Sequence, residues 1–258
     1  MADQIDYQLI GDDMQAVIIT LDPGETVMAE AGAMMFMTNE VQMETRASTK
    51  EGNGIGGALL GGLKRIVTGE SFFITAFKCV GNQKGKVAFA APYPGKIIPV
   101  DLSKSPILCQ KDAYLCSAWG VDINIKFAKR IGAGFFGGEG FILQELKGDG
   151  WAFIHAGGTI LKKTLAHGEK LKVDTGCLVA FQPTVTYDIE FVGGVKTALF
   201  GGEGLFFATL TGPGDTYLQT MPFSRMADRI ISASRMPVGE VQRGSSVSGI
   251  LGDIISGG

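Results

Sequence analysis

Three glutamates recur in one local setting. Glu70 stands in Gly69-Glu70-Ser71-Phe72-Phe73-Ile74, Glu139 in Gly138-Glu139-Gly140-Phe141-Ile142-Leu143, and Glu203 in Gly202-Glu203-Gly204-Leu205-Phe206-Phe207. Carboxylates repeated in equivalent places support two chemistries. Converging, they could hold a cation through oxygen ligands. Diverging, each would accept backbone N–H bonds beside its own glycine turn. The second use needs no ligand, so no metal is expected, and Glu70, Glu139 and Glu203 stand as weak cation or repeat-axis candidates.

Other chemistry-bearing residues are sparse. His155 and His167 are the two histidines of the chain and make no His-x-His pair, whereas metal-dependent double-stranded β-helix enzymes bring two or three histidines to one metal. Cys79, Cys109, Cys116 and Cys177 form no Cys-x-x-Cys pair and read as buried small hydrophobes. Neither a Gly-x-Ser-x-Gly elbow nor a P-loop is present. Gly52-Asn53-Gly54-Ile55-Gly56-Gly57 matches the dinucleotide fingerprint, but Gly61 and Gly62 would interrupt the helix that must follow it. No catalytic residue, no cofactor and no enzymatic activity are expected. A hydrolase hidden at unit interfaces is the alternative, and would need a histidine gathered with two acids.

The elements that carry the glutamates repeat with them. After each glutamate comes an apolar run, a glycine turn (81–85, 148–150, 212–214) and a second apolar run. Aromatic and β-branched runs joined by short glycine turns predict β-hairpins. A second pattern places an acid six residues after a turn glycine: Gly24 to Glu30, Gly95 to Asp101, Gly168 to Asp174. Together they predict an all-β chain of three tandem β-sandwich units, 1–91, 92–158 and 159–222, plus a helical tail, 223–258. A unit of about 65 residues is marginal alone, so the three should share interfaces. In the tail, Phe223, Met226, Ile230 and Ile231 fall at helical spacing before Pro237, and Val247, Ile250, Leu251, Ile254 and Ile255 do so again. Its polar face carries serines rather than lysines, which predicts protein docking over membrane binding.

Composition narrows the function further. The chain has 258 residues, a net charge of −3, 45% hydrophobic residues and 38 glycines. That excludes disorder and a generally basic, nucleic-acid-coating surface. Lys64-Arg65 and Lys129-Arg130 are paired basics, yet the third unit offers Lys196 alone, so RNA is not the expected partner. Met1 to Asp13 carries four aspartates and no basic residue, unlike a secretory or mitochondrial leader, and the cytoplasm is the expected location.

Met14-Gln15-Ala16-Val17, Leu21-Asp22-Pro23-Gly24-Glu25, Ala29-Glu30-Ala31-Gly32-Ala33-Met34, Phe136-Gly137-Gly138-Glu139-Gly140 and Phe200-Gly201-Gly202-Glu203-Gly204 resemble the mitochondrial-biogenesis family called "altered inheritance of mitochondria", type twenty-four, whose bacterial branch is largely uncharacterised. The resemblance covers nearly the whole chain. It implies units like the tryptophan RNA-binding attenuation protein, a double-stranded β-helix type that assembles edge to edge into rings, and a homotrimer closing such a ring. Fungal relatives work at the mitochondrial inner membrane, a role that does not carry over without a transit peptide. The family supplies no catalytic residues. The expected function is therefore interaction or scaffolding by a ring-like oligomer, with an unknown protein partner. Small-ligand, metal or RNA binding at unit interfaces is the other alternative.

Overall fold

Strand-forming runs with one apolar face dominate the sequence of residues 1–221, and glycine interrupts most windows long enough for three helical turns. The computed structural model describes residues 1–46, 74–129, 141–191 and 206–234. Among them are nineteen strands and one α-helix. After β1 (Asp6–Ile10), the strands fall into three sets of six. The first is β2 (Ala16–Leu21), β3 (Thr26–Glu30), β4 (Met34–Met37), β5 (Val41–Arg46), β6 (Ile74–Cys79) and β7 (Gly85–Ala90). The second is β8 (Gly95–Asp101), β9 (Ile107–Gln110), β10 (Tyr114–Ala118), β11 (Asp122–Lys129), β12 (Phe141–Lys147) and β13 (Trp151–Gly157). The third is β14 (Ile160–Leu165), β15 (Lys170–Asp174), β16 (Leu178–Phe181), β17 (Thr186–Phe191), β18 (Phe206–Thr211) and β19 (Gly214–Gln219).

Each set is wired alike. Its first and third strands flank its sixth, as in β2-β7-β4, β8-β13-β10 and β14-β19-β16. Its second and fourth strands flank its fifth, as in β3-β6-β5, β9-β12-β11 and β15-β18-β17. All these pairings are antiparallel. The two half-sheets of a set bury their apolar faces together. Val17, Ile19 and Leu21 of β2 share one buried cluster with Val27 of β3, Phe77 of β6 and Phe89 of β7. The Phe77 and Phe89 rings meet edge-on at 5.2 Å, and each ring contributes about 2–3 kcal/mol by leaving water. A second cluster joins Leu108, Phe141 and Leu143 to Val173, Phe181 and Leu210 of the third set.

The glycine turns do not close hairpins. β6 and β7 lie in different sheets, as do β12 and β13, and β18 and β19, so each turn carries the chain across the sandwich. Period-two alternation tells which face of a run is buried, not which strand it pairs with. Here β6 is flanked by β3 and β5, and β7 by β2 and β4, leaving neither free for the other. The glycine of the first crossing answers a close approach: a Cβ on Gly85 would lie 2.6 Å from Cγ2 of Val41. The second sequence pattern also shifts in its middle copy. Gly24 and Gly168 turn the chain between the first and second strands of their sets, but Gly95 opens the first strand of its own. Asp101 therefore ends a first strand whereas Glu30 and Asp174 end second strands, and the counterpart of those two is Gln110.

The strands belong to a compact unit, Met1–Ser224. The helix α1 (Phe223–Ser234) lies almost wholly in the second unit, Arg225–Gly258. It forms where the helical spacing predicts, with Ile230 and Ile231 exposed. The second apolar stretch of the tail, 244–258, lies outside the described residues, as does the Gly52–Gly57 fingerprint.

Candidate functional site

An edge strand presents a row of unpaired N–H and C=O groups, and a sheet protein must hide, blunt or use it. This chain uses its edges to join its sets. β3 of the first set pairs with β10 of the second, with Ala29 opposite Cys116, Met28 opposite Ser117 and Val27 opposite Ala118. β9 of the second set pairs in the same way with β16 of the third, opposing Cys109 to Ala180 and Leu108 to Phe181. Both joints thus run second strand to third strand, and all ten of these residues are buried. The first is clasped by the Tyr114 hydroxyl, 3.0 Å from Oγ of Ser117 and donating to the Met28 carbonyl at 3.3 Å.

A β-bulge recurs in every third strand. The pairing slips between Met34 and Phe36 in β4, between Tyr114 and Cys116 in β10, and between Leu178 and Ala180 in β16. The extra residues, Met35, Leu115 and Val179, are therefore equivalent, and the residues after them are Phe36, Cys116 and Ala180. Such a device bends the strand and re-aims its side chains. In β10 and β16 these positions are buried, yet in β4 Met35 is 56%, Phe36 43% and Met37 38% exposed.

β4 and β15 are the two halves of this joint left over, each at the end of its sheet. Among the described residues six other strands end the sheets, and they are blunted by means typical of solitary edges, β1 by Asp6. β5 carries Glu44, β17 carries Asp188 and Glu190, and β14 carries Lys162 and Lys163. β11 combines a bulge between Ile125 and Phe127 with the pair Lys126–Glu145, 3.0 Å apart. At β8, the Gln15 N–H donates to the Gly95 carbonyl and Gln15 Oε1 accepts from the Ile97 N–H. Of the two leftover edges, β15 also carries charge, in Lys170, Lys172 and Asp174, whereas β4, Met-Met-Phe-Met, has none.

The family model described as "Mitochondrial biogenesis AIM24" matches residues 7–221. The chain belongs to the AIM24 family. An uncharacterised protein of Streptococcus pyogenes serotype M6 is 30% identical over 213 residues, covering 82% of this chain and 83% of that protein. A crystal structure of a Streptococcus pyogenes protein superposes with a TM-score of 0.73 at 25% identity, covering 89% of this chain and all of the other. The family expected from the residue motifs is thus the family found.

In this AIM24 chain the residues first considered for chemistry are described only in part. Glu70, Glu139 and Glu203 lie outside the described residues. His155 is buried on β13, while His167 is exposed in the turn between β14 and β15. Cys79, Cys109 and Cys116 are buried free thiols. Burial pushes the Cys109 thiol up to about 12 and Cys116 well above its ordinary value, so both stay protonated and poorly nucleophilic. Among the described residues no helix is long and apolar enough to cross a membrane. The edge residues Met35, Phe36 and Met37 escape a search for chemistry because an apolar run reads as core. A trace remains in the sequence: β4 holds three methionines where β10 and β16 hold none.

Proposed function

We propose that this AIM24 chain is a non-enzymatic interaction and scaffold protein that works in the cytoplasm as a closed ring of three copies. One observation carries the reading: the sets are joined by a single edge pairing used twice, and among the described residues one unused half of that pairing remains in the first set and one in the third. A head-to-tail contact whose rotation closes makes a ring in which every such edge is paired. The protonated Cys109 and Cys116 thiols, and a His155 that is buried while His167 is exposed, support a structural over a catalytic role. The test is the intact mass of the full chain, by native mass spectrometry and light scattering at micromolar concentration. Three chain masses are expected, and a monomer or an open-ended filament overturns the ring.

A further inference from the structure

We propose that β4 of one copy pairs antiparallel with β15 of the next, in the register of the two joints inside the chain, setting Phe36 opposite Val173 and Met37 opposite Lys172. This inference rests on the ring reading and adds the surface, the register and the direction of the contact.

The register follows from equivalent positions. Ala29 and Cys109, which face the residue after the bulge, each stand one place before the end of their strand. Those strand ends, Glu30 and Gln110, pair with Ile74 and Leu143. In β15 the end is Asp174, paired with Phe207. Ile74, Leu143 and Phe207 occupy the same place in the recurring glutamate motif. The residue before the end is Val173, and the residue after the bulge in β4 is Phe36. One step on, Met37 meets Lys172, as Ser117 meets Met28 and Phe181 meets Leu108.

The side chains fit that placement. Phe36 is 43% exposed on the free edge, although Cys116 and Ala180, its counterparts, are buried. Opposite it, Val173 already belongs to a buried cluster, so pairing extends an existing core. On the other face, the four-carbon stem of Lys172 can cover the Met37 thioether while its ammonium stays near Glu190, 3.7 Å away. The internal joints hold small pairs, Ala29 with Cys116 and Cys109 with Ala180. They can, because the chain tethers their halves at high effective concentration. A joint between separate molecules loses translational and rotational freedom, and the larger Phe36–Val173 pair supplies the extra apolar burial. The contact joins unlike surfaces, so it is directional.

Charge exchange tests the register. Phe36→Asp, at a position exposed in the free chain, should give a folded monomer with an unchanged circular dichroism spectrum and an association at least about 100-fold weaker. Met37→Lys places two ammoniums opposite each other across the joint and should weaken assembly roughly tenfold. Adding Lys172→Glu to Met37→Lys should restore it to within about threefold, whereas Lys172→Glu with Met35→Lys should not. Assembly that survives Phe36→Asp overturns the β4 surface. Failure of the Met37→Lys/Lys172→Glu rescue, or equal rescue by the Met35 control, overturns the register. A wild-type chain that is monomeric from the outset removes the ring reading itself.

Discussion

His155 lies on β13 with its imidazole edge against the backbone of Gly95, where a Cβ would stand 2.7 Å from Nε2. The Tyr93 ring meets it edge-on at 4.6 Å, and Nδ1 has no hydrogen-bond partner among the described residues. Desolvation is the cause that pushes its pKa down to about 4, since a charged imidazolium would lose its water without gaining an acceptor. The same seat pushes the Tyr93 phenol up to about 12, first by burial and then by the negative charges of Asp112 and Glu30. The consequence for stability has a definite sign. Above pH 6.5 both folded and unfolded chains hold a neutral His155. As pH falls from 6.5 toward 4, the unfolded chain takes up a proton that the folded chain refuses, so stability drops by on the order of 2–3 kcal/mol, and below 4 this contribution levels off. Urea unfolding at pH 7 and pH 4.5 should show the loss, and His155→Phe should remove that part of it. Equal losses in the two proteins would sink the assignment. A histidine that resists protonation in this way is a packing residue at the junction of β8 and β13, not a proton carrier.

At the scale of elements, the crossing from β6 to β7 depends on a missing side chain. Gly85 packs so closely on Val41 of β5 that a Cβ would reach 2.6 Å from its Cγ2, with Cβ of Glu40 at 3.3 Å and Sγ of Cys79 at 3.4 Å. Gly85→Val should therefore cost about 2–3 kcal/mol by forcing β5 away from the crossing, read as a lower melting temperature. The pairing of Gly85→Val with Val41→Ala should recover part of that loss, and no recovery would place the cost elsewhere. This crossing also marks how far sequence reading reaches. The glycine-bounded runs reveal strands, their buried faces and a threefold recurrence, because alternation and turn residues are local properties. They do not distinguish a hairpin from a crossing, because that depends on which edges other strands have taken. Gly95 misleads for a related reason: a glycine followed by a strand and an acid looks the same before a first strand as before a second. The exposed Met35-Phe36-Met37 edge was equally hidden. Only the buried state of Leu115, Cys116 and Ser117 in the equivalent strand exposes it as unfinished.

For the whole molecule, stability and assembly should be one quantity. Three sets of roughly 60–75 residues each share two internal joints, and each alone would bury only a marginal core. The first and second sets are further tied by β1, whose Tyr7 packs edge-on against Trp151 and Phe153 at 5.0 and 4.9 Å. Among the described residues, the third set pairs with another set through one joint only, and its outer strand β15 ends the last sheet. In a ring that strand gains β4 of the next copy, so the least supported part of one chain is stabilised by its neighbour. Association that binds the folded chain and not the unfolded one raises the unfolding midpoint with concentration. The melting temperature of the wild-type chain should therefore climb by several degrees between about 0.5 and 50 μM, while that of Phe36→Asp should stay flat near the wild type's lowest value. Because the joint opposes Phe36 to Val173 and Met37 to the stem of Lys172, apolar contact rather than ion pairing holds it. Added salt should leave the concentration dependence in place, unlike a contact made of screened surface charges. A melting temperature independent of concentration in both proteins would mean that the third set stands without a neighbour, and that its open edge is tolerated rather than used.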